Sequence, residues 1–186
     1  MAVQLGNGVT LEGFRLNAED GSVLKAMYTD YLLEEFQRID ELAFGNPVAP
    51  YLITMFIKVD DEHAGFLSLD RHNNAVEIIY VKPDYRHRSL ATLALQEMMR
   101  HSPTKLALKT PLSPGGEALA TQLDLGLEHN FPHEEARNQE ALRTMAAGVR
   151  ATCRHATRRN PLKPCPRCYQ IALRRYASRV IDTFLQ

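Results

Sequence analysis

Val81-Lys82-Pro83-Asp84-Tyr85-Arg86-His87-Arg88-Ser89-Leu90-Ala91 is the stretch on which the reading of this 186-residue chain turns. Before it, Ala75–Val81 (AVEIIYV) is rich in β-branched and aromatic residues, and Pro83, with no N–H to give to a ladder, ends the strand. After it, residues 89–100 (SLATLALQEMMR) place Leu90, Leu93, Ala94 and Met98 on one helical face. A strand, a short basic loop and a helix start thus follow one another. The first amides of a helix have no intrahelical partner, and the helix dipole adds positive potential there, so such a junction favours an anion.

Working outward, residues 9–16 (VTLEGFRL) alternate as a half-buried strand does, and residues 18–43 carry Leu24, Tyr28, Tyr31, Leu32, Phe36, Ile39 and Ala43 at helical spacing, with Asn17 or Ser22 available as N-cap. Residues 50–59 (PYLITMFIKV) and 63–69 (HAGFLSL) read as a hairpin turning at Asp60-Asp61-Glu62, and the cluster Arg71-His72-Asn73-Asn74 turns the chain into the third strand, Ala75–Val81. Beyond the second helix, residues 104–109 read as a short strand. Residues 116–125 read as a helix ended by Gly126. The order is β-α-β-β-β-α-β-α, an α+β chain with a mixed, largely antiparallel central sheet flanked by helices.

This order, with the strand-Pro-loop-helix junction in its place, resembles the GNAT superfamily of N-acetyltransferases over residues 9 to about 131. The family's pyrophosphate loop, [Q/R]-x-x-G-x-[G/A], corresponds to Arg86-His87-Arg88-Ser89-Leu90-Ala91. Ser89 stands where the family usually has Gly, and fits if its φ stays negative; Ala91 is a family-allowed small residue. The resemblance implies that acetyl-CoA is the cofactor, its pyrophosphate on Arg86, His87, Arg88, Ser89, Leu90 and Ala91. It also implies that the pantetheine arm pairs with the backbone of Ile79, Tyr80 and Val81.

By the same resemblance Glu77 is the candidate catalytic base toward an acceptor amine, because an ammonium has no lone pair with which to attack a thioester. The plainer reading of Glu77 is an exposed carboxylate on an alternating strand. Two family features are missing. The Asn near the start of the helix after the last paired strand falls on Gly115, and the Tyr that serves as general acid falls on Gln122, which cannot donate a proton as an acid. The implied function is transfer of acetyl from acetyl-CoA to an amine, with a catalytically weak binding or structural protein as the alternative.

The formal charge of zero conceals polarity: residues 1–149 hold 13 Lys/Arg against 21 Asp/Glu, net −8, and residues 150–186 hold 9 against 1, net +8. The break divides the chain into a GNAT-like domain (1–131), a helical linker (132–149) and a basic Cys/His tail (150–186). The tail ends in an amphipathic helix over residues 169–185. All three cysteines lie in the tail, and Cys153, His155, Cys165 and Cys168 form a donor set of the kind a tetrahedral structural zinc takes; inert thiols and a redox pair are the other readings. The basic tail also suits nucleic acid, docking on the acidic body, or plain solvation. No apolar run nears the roughly 20 residues a membrane span requires, and the N-terminus has no signal-peptide pattern, so a cytoplasmic location is expected.

Overall fold

The computed structural model describes residues 2–38, 45–129, 140, 144 and 166–186. Seven strands form one mixed sheet in sequence order: β1 (Ala2–Gly6), β2 (Val9–Gly13), β3 (Leu52–Val59), β4 (Glu62–Asp70), β5 (Ala75–Val81), β6 (Ala107–Lys109) and β7 (Gly126–Glu128). Pairing is antiparallel from β1 to β5, then parallel for β5–β6 and β6–β7. The helices whose bounds lie among the described residues are α1 (Ala18–Arg38), α2 (Leu90–His101), α3 (Pro114–Gln122) and α4 (Pro166–Leu185). None of the described helices is long and apolar enough to cross a membrane.

Local signals explain most boundaries. Asn17 caps α1, its side-chain oxygen accepting the Asp20 N–H at 2.8 Å. The β3–β4 hairpin turns on Asp60 and Asp61, both at positive φ, the conformation of a tight turn that follows the twist of the strands. Four boundaries differ from the sequence reading. β1 is an additional edge strand paired with β2, short and only half-buried, so its alternation carries little apolar contrast. β6 begins at Ala107 instead of Thr104. α3 starts earlier than residue 116: Ser113 is its N-cap, accepting the Gly116 N–H at 3.0 Å, and Pro114 occupies the first helical turn. Gly126 does not cap α3 but opens β7, and Asp124 takes the left-handed conformation after the helix instead.

Two layers cover the sheet. On one face α1 and α4 pack over Phe56, Phe66, Ile78 and Tyr80. On the other, α2 covers Leu11, Ile57 and Leu67, and α2 and α3 share a third cluster with Val76 and Leu108. The basic composition of the tail hides an apolar stripe. Tyr169, Leu173, Ala177 and Ile181 recur every four residues, and all four are buried against Leu24, Met27, Tyr28 and Leu32 of α1. Lys25 of α1 and Asp182 of α4 add an ion pair at 2.5 Å.

The expectation of a zinc-stapled extension finds no support in that packing. α4 is ordered by apolar contact with α1, and Cys168, half-buried, packs against the same cluster. Among the described residues no three His, Cys, Asp or Glu side chains are grouped to hold a metal. Cys153, His155 and Cys165 lie outside the described residues, as does the linker proposed for 132–149 apart from residues 140 and 144.

Candidate functional site

The sheet forks at β5 and β6. Their parallel ladder holds two registered pairs, Ala75 with Ala107 and Val76 with Leu108, and no further pair follows. Beyond the fork β6 gives way to Thr110, whose N–H turns to Glu128 O at 2.9 Å, while β5 runs on to Val81. Its other edge stays paired with β4, where Gly65 faces Val81; a Cβ at Gly65 would stand 2.2 Å from Tyr80 O, so only glycine allows this approach. The opening between β5 and the start of α3 is a cleft of about 650 Å³, lined by Ile79, Tyr80, Val81, Arg86 and Ala91 on one side and Ser113, Gly115 and Gly116 on the other. Tyr31, Glu34 and Glu35 of α1 form its wall. A narrower recess of about 80 Å³ continues it to the fork, where Glu77 and Lys109 stand.

At the mouth, a single 3-10 turn (Pro83–Tyr85) carries the chain from β5 into the basic loop. Ser89 sits at the N-cap of α2 with φ 57° and ψ 17°, and His87 is also left-handed at φ 61°. The expectation of a negative φ at Ser89 is therefore overturned: the residue keeps the backbone that glycine would supply, at a cost of roughly 1–2 kcal/mol for an L-residue. Two left-handed residues thus flank Arg88 in the loop. The first helical hydrogen bond of α2 runs from the Leu93 N–H to Ser89 O at 2.9 Å, which leaves the amides of Leu90, Ala91 and Thr92 without an i−4 partner.

Arg86, though partly exposed, is tied to β5 and α1. Its Nε donates to Val81 O at 2.9 Å, its Nη2 lies 2.5 Å from Glu34 Oε2, and its guanidinium stands over the Tyr80 ring at 5.9 Å. Tyr80 in turn donates its hydroxyl to Glu34 Oε1 at 3.4 Å. Burial first, and then the negative charge of Glu34, push the Tyr80 phenol well above its ordinary range, so it stays a donor. Burial and the same Glu34 also raise the carboxyl of Asp30, one turn earlier on α1. The group joins α1 to β5 and the loop after it, far apart in sequence, so spacing gave no sign of Glu34, Tyr31 or Glu35 as cleft residues.

At the fork, Glu77 is 8% exposed and forms an ion pair with Lys109 Nζ, itself 10% exposed, at 2.5 Å from Oε2. Its Oε1 accepts the Asn46 N–H at 3.2 Å. Glu77 is thus neither exposed nor loose. Ile79, Tyr80 and Val81 all line the cleft. Gly115 lines the cleft too, whereas Gln122 is exposed at the far end of α3. The structure therefore brings Glu77, Ile79, Tyr80, Val81, Arg86 and Ala91 around one opening, with Ser89 and His87 setting the loop at its mouth.

The arrangement is an α+β one, a forked mixed sheet with a helix N-terminus at the mouth of the fork. The Acetyltransferase (GNAT) family model matches residues 18–112, just over half of the chain, and the chain belongs to that family. No curated protein matches its sequence. Among solved structures it is similar to the acetyl transferase of Salmonella typhimurium that modifies the N-terminal serine of a 50S ribosomal subunit protein. Identity there is 13%, coverage 66% of this chain and 83% of that one, and the TM-score 0.45. RimL, a ribosomal alpha-N-protein acetyltransferase, gives 14% identity, 66% and 80% coverage and a TM-score of 0.44. A probable acetyltransferase gives 13%, 76%, 81% and 0.40.

Proposed function

We propose that this protein transfers the acetyl group of acetyl-CoA to an amine, with Glu77 as base. The observation that carries the reading is the fork itself. The edge of β5 from Glu77 to Val81, unpaired with β6 and with Val81 O already taken by Arg86, leads straight to the amides at the start of α2, so one extended ligand meets strand backbone along its arm and amide donors at its phosphates. The donors present suit the group. Leu90, Ala91 and Thr92 would hold the pyrophosphate by their amides, and Ile79 and Val81 the arm by their backbone, with Ala91 leaving room at the mouth.

When bound, acetyl-CoA supplies an activated carbonyl. The rest belongs to the chain: the acceptor amine enters past the α1 wall, where Glu34 is paired with Arg86 and Glu35 lines the opening. Glu77, next to the fork, takes a proton from that amine. Incubating the protein with labelled acetyl-CoA and a panel of Ser-, Ala- and Met-initiated peptides, spermidine and free lysine should label at least one member, in proportion to enzyme. A protein that labels none of them, while a known acetyltransferase does so under the same conditions, would overturn the reading of this cleft as an amine acetylation site.

A further inference from the structure

The mechanism above lacks an acid. The amide product leaves behind a thiolate, and Gln122, at the position where the family's tyrosine would stand, is exposed at the end of α3 and does not line the cleft. Among the described residues that line the recess at the fork, Lys109 is the one cation. It is the last residue of β6, one step past the final ladder pair, and the divergence of the two strands leaves its ammonium facing Glu77 across the fork. Lys109 is 10% exposed, and the Glu77 carboxylate answers its Nζ at 2.5 Å.

We propose that Lys109 is the proton donor to the departing CoA sulfur, and that Lys109 and Glu77 together form a proton relay. This rests on the acetyl-transfer reading of the cleft. The acceptor reaches the cleft as an ammonium and loses a proton to Glu77. The nitrogen lone pair of the neutral amine then forms the C–N bond to the acetyl carbonyl carbon, and the C–S bond breaks with its electron pair left on sulfur. The surplus proton of the nitrogen leaves to solvent, and Lys109 gives one to sulfur. The proton on Glu77 Oε2 finally crosses to Lys109 Nζ, and both groups return to their charged forms. No atom or electron is left over, and one closely coupled pair serves both ends of the reaction.

A purely structural ion pair would hold the fork together but would leave the sulfur unaffected. The two roles separate in the ionisation of bound CoA, read by the ultraviolet absorbance of its thiolate and needing no acceptor. With an ammonium beside the sulfur, the thiol of CoA bound to the parent should ionise about one pH unit or more below that of free CoA. Lys109→Arg should keep most of that shift, and Lys109→Met should lose it. The double variant Glu77→Gln/Lys109→Met removes both members of the pair, so neither is left buried without the other, and it too should show the value of free CoA. Turnover of the double variant should be no lower than that of either single one, since the two act as a unit. Equal thiol ionisation in the parent and the double variant, with CoA bound in both, would overturn the relay. Absence of CoA binding to the parent would instead overturn the cleft reading on which the relay stands.

Discussion

Replacing Ser89 by Glu should abolish acetyl-CoA binding. The position combines a left-handed backbone with the N-cap of α2, and its neighbours Leu90, Ala91 and Thr92 present the amides proposed to hold the pyrophosphate. A carboxylate placed there would be drawn to the same amides by the helix dipole, and would repel the phosphates across a few ångströms that salt screens poorly. Calorimetric titration should show affinity falling at least about 100-fold, equivalent to roughly 2.7 kcal/mol. An unchanged melting temperature would show that the loss lies in the site and not in the fold. Binding within a few-fold of the parent would remove the loop from the phosphate site.

The second large effect belongs to Glu77→Gln. The carboxylate lies at the fork, away from the loop at the mouth, so the change should lower turnover by about 100-fold or more while affinity for acetyl-CoA stays within about twofold. The amide keeps the shape of the side chain and can still accept the Asn46 N–H. It can no longer take a proton. A variant as fast as the parent at neutral pH would show that another group, or solvent, serves as base. Measuring rate and binding on the same preparation separates this outcome from a general loss of structure.

The sequence made the strand-loop-helix junction readable because local chemistry determines it. Pro83 ends a β-branched run, and Leu90, Leu93, Ala94 and Met98 begin a helical period, so no distant residue is required to place the loop. The hairpin at Asp60-Asp61 and the Asn17 cap were equally local. The conformation of Ser89 was not, because a serine in a glycine backbone is chosen by the closure of the loop on either side and not by its own preference. Pairing across the cleft was also illegible. Arg86 meets Glu34, and Lys109 meets Glu77, only because α1 and β6 are folded onto β5.

The tail shows how composition can mask pattern. Nine basic residues among 37 drew attention to charge, yet Tyr169, Leu173, Ala177 and Ile181 already marked a buried face with a period of four. What the sequence did not supply was the partner, a complementary stripe on α1 more than a hundred residues earlier. The packing of α4 also bears on the site. The helix it braces carries Tyr31, Glu34 and Glu35, so the last helix of the chain supports the wall of the cleft.

The central claim is that the fork of β5 and β6 is an acetyl-CoA site, and isothermal titration of the parent protein with acetyl-CoA tests it most directly. The account predicts saturable heat at micromolar concentrations with one ligand per chain, competition by free CoA, and loss of that heat in Ser89→Glu. No heat of binding up to high micromolar acetyl-CoA, from protein that melts cooperatively, would contradict it.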